Sequence, residues 1–288
     1  MKILKVNEKY NNKKLLNFIL DSFPALSKNT LYKALRKKDI RVNDVKVTSD
    51  CTVFLGDKIT IYITDNYLFG DEKFDIPIIF EDNNILVVNK PENLSVIEDT
   101  LPTLTSILQN KYGKNIMPCH RIDRNTKGLV LFAKNDEALN ILLDKFKNKE
   151  IEKHYLAKVY GIPSKKHKIL ESYLFKDSKK SLVYISDIPK KNYQKIITEY
   201  NILEKDINKN IAVLDINLHT GKTHQIRAHL AHIGFPILGD GKYGINEINK
   251  KYNLKTQELY SYKIIFKFKT NAGILEYLNN KEIILKGG

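Results

Sequence analysis

The chain reads as α+β in two domains, and three observations lead there. Its 288 residues are enough for roughly two domains, with ample chain for a sizeable core. Residues 15–40 carry helical periodicity, whereas from residue 78 short strand patterns dominate, with helices inserted rather than strictly alternating. A polar stretch containing Gly70 and Pro77 separates the two regimes. We therefore expect a small domain over 1–66, a linker over 67–77, and a larger, mixed, strand-rich domain over 78–288.

Taking the elements in order, Leu15, Leu16, Phe18 and Ile19 supply the apolar face of a first helix, which Asp21-Ser22-Phe23-Pro24 ends. A second helix is expected after Ser27, with Asn29 or Thr30 near its cap and Leu31, Ala34 and Leu35 as its stripe. Lys28, Lys33, Arg36, Lys37 and Lys38 crowd this helix and its flanks. Residues 40–43, a polar turn at Asn43-Asp44, Lys46-Val47 and the alternating run 56–63 then read as a small sheet.

In the larger domain, residues 78–80 and 85–91 flank the polar turn 81–84 as two strands. Thr103 to Tyr112 reads as a helix ended by Gly113. The polar run 123–127 is a loop or tight turn, and the apolar run 128–133 after it is a short buried strand. Asn135 caps an expected helix over 136–147, with Leu139, Leu142, Leu143 and Phe146 at helical spacing. Residues 153–160 form a strand closed by Gly161. Between Ser164 and Lys195 lysines are dense and apolar patterning is weak, so loops and short strands on a surface suited to RNA are expected. Residues 198–203 and 211–218 are strands, and a basic turn then leads into a helix with Ile226, Leu230 and Ile233 inward, ended by Gly234 before Pro236. Residues 257–268 and 283–285 complete the strands. No internal repeat of roughly 20–50 residues is present.

Composition bounds the partners. Lys and Arg number 48 against 33 Asp and Glu, a formal net charge of +15. Such an excess favours a polyanion, nucleic acid first, bound in a salt-sensitive way. A lysine-rich composition of the whole proteome would give the same charge without that partner. No run approaches the roughly 18 apolar residues of a membrane span, so no membrane partner is expected. The N-terminus, Met1 to Glu8, lacks the sustained apolar region and cleavage site of a signal peptide. Cys51 and Cys119 lie far apart without metal-ligand spacing, which indicates neither a disulfide framework nor a cysteine zinc site and fits a reducing cytoplasm.

Two constellations can carry chemistry. The first, His120 to Lys134, sets Asp123 between Arg121 and Arg124 at the mouth of a buried strand, where a scaffold can hold a reactive carboxylate rigidly. A turn cap, or an ion pair with those arginines, accounts for the same residues, and structural ion pairs far outnumber catalytic acids. The second runs from Leu218 to Leu230. Gly221-Lys222-Thr223 invites a phosphate-binding loop, but that motif's first glycine would fall on Ile216. His224, His229 and His232 invite zinc, yet the spacing is not His-Glu-x-x-His, and His224 and His229 would stand about 140° apart on a helix. What remains is a helix N-terminus whose amides and basic side chains suit a phosphate or a carboxylate. The glycine-dense loop 239–244 follows that helix.

Two resemblances extend these readings. Leu15-Leu16 opening one helix, Leu26-Ser27-Lys28 leading into the next, Val42-Asn43 in a strand, and Gly56-Asp57-Lys58-Ile59 resemble an S4 RNA-binding domain over residues 13–63. That resemblance implies RNA contacts from Lys28, Lys33, Arg36, Lys37 and Arg41, a solvated charged helix being the alternative. In the larger domain the quoted motifs are Val88-Asn89-Lys90-Pro91, His120-Arg121-Ile122-Asp123 through Thr126, Gly128 to Lys134, and Lys153-x-Tyr155-x-Ala157-x-Val159-x-Gly161. Thr220 to Arg227 with His229, and Pro236-Ile237-x-Gly239-Asp240-x-x-Tyr243-Gly244, complete the set. Together they resemble the RluA family of RNA pseudouridine synthases over residues 78–268.

This second resemblance implies that a uridine's N-glycosidic bond is broken, the uracil turned, and the base rejoined to the sugar through carbon, with neither metal nor organic cofactor. It implies Asp123 as the catalytic aspartate, Arg227 as its ion-pair partner and Tyr155 as the platform on which the target base stacks, its phenol a proton carrier in one route. Asp123 should therefore meet Arg227 across the chain. His120, Arg121, Lys222 and His224 are implied RNA contacts, with a purely structural role equally open for His120. Whether Asp123 acts as covalent nucleophile or base stays open. The expected partner is RNA, ribosomal of the large subunit ahead of transfer RNA, for a cytoplasmic monomer. A non-catalytic RNA-binding ribosome-assembly factor is the rival class. Two departures stand out: Lys127 where the family has serine, and Leu259-Tyr260-Ser261-Tyr262 where Leu-His-Ala is commoner. An apolar residue of the 257–268 strand should line the pocket, but the sequence does not say which one.

Overall fold

A computed structural model describes residues 1–23, 25–64, 67–68, 74–97 and 102–285. The chain divides into two units, residues 1–75 with 97–107, and residues 76–96 with 108–288.

The first unit runs β1 (Lys2–Lys5), β2 (Lys13–Lys14), α1 (Leu15–Ser22), α2 (Lys28–Arg36), β3 (Ile40–Val42), β4 (Val45–Lys46), β5 (Thr52–Val53) and β6 (Lys58–Ile61). Its sheet is antiparallel in the order β1-β6-β3-β4, with β2 and β5 as a separate pair. Ile40, Ile59 and Ile61 of the sheet share one core with Leu15, Phe18, Ile19, Leu31 and Leu35 of the helices. Asn43 and Asp44 turn β3 into β4 at positive φ (50° and 66°), which matches the twist of a two-residue hairpin. The cap of α2 is Ser27, not Asn29 or Thr30: its Oγ accepts the Thr30 N–H at 3.1 Å, which places both expected caps inside the first turn. Tyr67 and Leu68, expected in the linker, pack into this core, because their apolar bulk outweighs the polar residues around them. Residues 69–73 of the expected linker, and Pro24, lie outside the described residues.

The chain continues with β7 (Ile78–Glu81), β8 (Ile85–Lys90), α3 (Leu104–Tyr112), β9 (Met117–Pro118), β10 (Lys127–Ala133), α4 (Asp136–Lys147) and β11 (Ile151–Tyr160). Then come β12 (His167–Asp177), β13 (Leu182–Ser186), β14 (Gln194–Asp206), β15 (Ile211–Leu218), α5 (Gln225–His232), α6 (Asn246–Lys251), β16 (Leu259–Phe266) and β17 (Glu282–Ile284). Eleven strands of the second unit form one sheet in the order β13-β12-β14-β15-β11-β16-β10-β8-β7, with β17 on β16 and β9 on β10. Neighbours pair antiparallel except β10 and β16, which run parallel with Lys127 beside Tyr260 and Gly128 beside Ser261. The mixed, strand-rich α+β fold is thus realised. Gly128 sits at φ 112°, and a Cβ there would fall 2.1 Å from the Ser261 carbonyl oxygen, so the crossing admits only glycine. Leu129, Leu131, Ala138, Leu142, Ile264 and Phe266 fill the core between β10, α4 and β16. As expected, Asn135 caps α4, its Oδ1 accepting the Ala138 N–H at 2.8 Å.

Two expectations fail in this unit. Residues 164–195 form long strands, not mainly loops: β12 spans 11 residues, and β14 begins at Gln194 rather than Thr198. Leu170, Ser172 and Leu174 alternate inward along β12, a period-two pattern that the apolar Ile169, Tyr173 and Phe175 on the other face conceal. Nor does α5 bury a simple apolar stripe. Gln225, Arg227 and His229 are buried along with Ile226 and Leu230, while Ile233 is only half-buried, because α5 lies across the sheet where Thr198 and Ser172 meet its polar side chains.

Candidate active site

The turn carrying Asp123 is held from beneath by a buried lysine. Lys90, at the end of β8, is fully buried, and its ammonium donates to the carbonyls of Pro91 (2.7 Å), Leu94 (2.7 Å) and Arg124 (2.9 Å). Burial pulls its pKa to about 7, and Asp123 and Glu92 oppose that pull. Within the turn the Thr126 N–H donates to the Asp123 carbonyl at 3.0 Å, and the Thr126 hydroxyl accepts from Gln257 Nε2 at 2.7 Å. Asp123 is therefore presented from a turn pinned to β8 and to the segment before β16.

Arg227, on α5, reaches it. Its Nη1 donates to Asp123 Oδ2 at 3.0 Å, as the sequence requires. Its other contacts were not foreseen: Nε and Nη2 donate to Asp240 Oδ2 (2.7 Å) and Oδ1 (2.8 Å). Asp240 is completely buried and also accepts the backbone N–H groups of Lys242 and Tyr243. Burial pushes its carboxyl up, but Arg227 and those amides outweigh burial and hold it below the ordinary range. Burial likewise lowers Arg227, and the two carboxylates more than restore it, so the guanidinium stays charged. A fork that binds one carboxylate bidentately while its free edge meets a second is a rigid way to aim Asp123. The sequence shows Asp240 as an acid between two glycines within a family motif, with nothing to pair it with Arg227.

Asp123, Thr126 and Arg227 line one open cleft, which also takes in all four RNA contacts expected from this unit: His120, Arg121, Lys222 and His224. Tyr155 of β11 contributes a wall and is 4% exposed, and burial together with the Asp123 charge raises its phenol above the ordinary value. Leu259, at the start of β16, is the apolar residue from that strand in the lining. Arg121 and Lys222 are exposed at the cleft. His224 is half-buried at a left-handed position (φ 53°), with Nδ1 2.9 Å from the Tyr243 hydroxyl, and burial lowers its pKa. Gln225 is fully engaged, accepting from Thr220 Oγ1 and the Lys222 N–H and donating to the Ile197 carbonyl and Thr198 Oγ1. Among the described residues no group of three or more His, Cys, Asp or Glu is placed to hold a metal ion.

The remaining expected contacts belong to the first unit. Lys28, Arg36 and Lys37 are exposed, Lys33 is half-buried, and the Arg41 guanidinium stacks 5.1 Å from the Tyr62 ring.

Residues 84–232 match the family described as RNA pseudouridylate synthase. Ribosomal large subunit pseudouridine synthase C of Rickettsia typhi is 32% identical over 283 residues, covering 92% of this chain and 89% of its own. An "Uncharacterized RNA pseudouridine synthase" of Mycoplasma capricolum is 32% identical over 299 residues, 97% of this chain and 95% of its own. The solved human RNA Pseudouridylate Synthase Domain Containing 1 superposes with a TM-score of 0.59 at 23% identity, over 68% of this chain and 80% of that one, and speaks for the fold alone. The matched segment contains Asp123, Tyr155 and Arg227, and the chain belongs to the RluA family of RNA pseudouridine synthases.

Proposed function

We propose that the protein converts specific uridines of large-subunit ribosomal RNA to pseudouridine, with Asp123 as the catalytic aspartate. One observation carries this: the Asp123 carboxylate is half engaged. Arg227 fixes Oδ2 at 3.0 Å, while Oδ1 has no hydrogen-bond partner among the described residues. A carboxylate held through one oxygen and free at the other acts on a bound nucleotide without reorganising, as nucleophile or as base. Substrate and product are isomers. The bond from N1 to the sugar breaks, a bond from C5 forms, and the C5 proton leaves as N1 gains one, with no net oxidation.

The other residues prepare that step. The target base must leave its stack, and the face of Tyr155 offers a new one. Because its phenol is raised, Tyr155 keeps its proton and serves as a neutral platform. Arg121 and Lys222 meet phosphate at the cleft. In the first unit, which we read as an S4 domain, Lys33, Arg36 and Lys37 share one face of α2 and its end, and they, with Lys28 at the start of α2 and Arg41 on β3, contact RNA backbone without sequence preference. The names of the curated relatives, matched over most of both chains, support ribosomal RNA as the substrate.

The test is a pseudouridine map of ribosomal and transfer RNA from a deletion strain carrying either the wild-type gene or Asp123→Asn. Large-subunit sites should vanish on deletion and return with the wild type only. Restoration by Asp123→Asn would refute the aspartate's role, and loss confined to transfer RNA would refute the substrate.

A further inference from the structure

The cleft has a neighbour. A second cavity of about 180 Å³ adjoins it, and His120, Lys153, Leu218 and Gly221 line both. Two polar groups, His120 and Lys153, belong to this shared wall, and the Lys153 ammonium lacks a protein acceptor among the described residues. His120 Nε2 accepts the Leu131 N–H at 3.1 Å, so the imidazole proton sits on Nδ1, a buried atom on the Arg121 backbone side, and the ring forms part of the wall. Lys153 Nζ makes no hydrogen bond or ion pair among the described residues; it lies 5.1 Å from the centre of the Phe146 ring. Gly221 lies beside that ammonium, where a Cβ would stand 3.4 Å from it, at ordinary contact distance. A buried donor left unpaired costs about 1–3 kcal/mol, and more when charged. Lys153 is half-buried at the cleft, where burial lowers its pKa and no acid offsets its charge, so the place suits an anion.

We propose that the Lys153 ammonium binds a backbone phosphate of the RNA, flanking the target nucleotide, in this side cavity, with the His120 ring as its neutral wall. The site rests on RNA being the substrate. Lys153 precedes Tyr155 by two residues on β11, and both line the cleft. Two strand residues span roughly 7 Å, the scale of one nucleotide step beyond the stacked base. The one acid of the side cavity, Glu152, is engaged by Lys267 at 2.9 Å, and Lys149 adds a second cation at the rim. Burial lowers Lys153 to about 8, and burial with the Lys153 charge holds His120 near 3, so at neutral pH the charged ammonium sits beside a neutral imidazole.

Lys153→Gln and Lys153→Arg test this on in vitro transcribed large-subunit ribosomal RNA, by melting, by affinity across a salt series, and by turnover. The Gln variant should melt no lower than wild type, since it removes an ammonium from a desolvated position. It should bind RNA about tenfold more weakly, and its plot of log affinity against log salt should flatten by about 0.7–0.9. The loss should fall on KM rather than on kcat, and Lys153→Arg should restore the salt slope. Wild-type affinity and slope in Lys153→Gln, or a loss confined to kcat, would overturn the proposal. A wild-type protein that binds RNA with this dependence yet forms no pseudouridine would instead count against the proposed function and leave the phosphate site standing.

Discussion

Asp240 takes two of the N–H groups of Arg227, at 2.7 and 2.8 Å, and thereby fixes the third edge of the guanidinium on Asp123. Asparagine at 240 keeps the shape but offers one acceptor where there were two and leaves the buried guanidinium short of countercharge. Asp240→Asn should cost about 3 kcal/mol of stability and lower kcat about a hundredfold, because Arg227 then swings relative to Asp123. Melting curves and single-turnover release of tritium from 5-tritiated uridine in RNA measure both. Unchanged kcat in a folded Asp240→Asn protein would show that Arg227 needs no such clamp.

Tyr155 separates stacking from proton transfer. Burial and the Asp123 charge keep its phenol protonated, so its ring face should matter more than its hydroxyl. Tyr155→Phe should retain measurable turnover, whereas Tyr155→Leu should fall a further tenfold to hundredfold, the about 1–3 kcal/mol of a lost base–aromatic stack. Equal losses in the two variants would instead assign the role to the hydroxyl.

His229 gives the fold an acid-sensitive point. It is fully buried between Thr198 Oγ1 (3.0 Å) and Ser172 Oγ (3.2 Å), and burial, with the charge of His232 adding and that of Asp187 opposing, lowers its pKa to about 4. As pH falls, the unfolded chain protonates this histidine near its ordinary value while the folded one does not, so stability is lost from about pH 6.5 down to about 4. Between pH 7 and pH 5 that amounts to about 2 kcal/mol. His229→Gln should flatten the fall in melting temperature over this range by the corresponding amount; parallel curves would place the acid sensitivity elsewhere.

The turn with Asp123, the strand with Tyr155 and the helix with Arg227 were legible because each is a local pattern: a polar run before an apolar run, an alternation, a helix start. The pair Asp123–Arg227 was legible as a requirement, since a carboxylate in a reactive turn needs a cation and the family motifs supply one. The second carboxylate on Arg227 was not, because the motif that contains Asp240 marks the residue but not its partner, which only the closed chain reveals. Strand β12 was hidden by its two apolar faces, one of which packs beneath α5 and one of which does not. Gln225 and His229 were hidden likewise, as polar residues on a helix whose neighbours satisfy them. Leu259 became identifiable only once the parallel step between β10 and β16 set its register beside the cleft.

That parallel step also sets when, during synthesis, the turn of Asp123 can be seated. The turn of Asp123 leads straight into the place where Gly128 meets Ser261, and Ser261 Oγ donates to the Leu129 carbonyl across 132 residues of chain. Arg227 lies 104 residues beyond Asp123, and Gln257, which holds Thr126, lies 131 residues beyond its partner. Contacts so distant in sequence close late, after the local hairpins. A nascent chain emerging at about 5–20 residues per second thus carries Asp123 for several seconds before the strand that seats its turn exists, and chains ending short of Ser261 lack that seat.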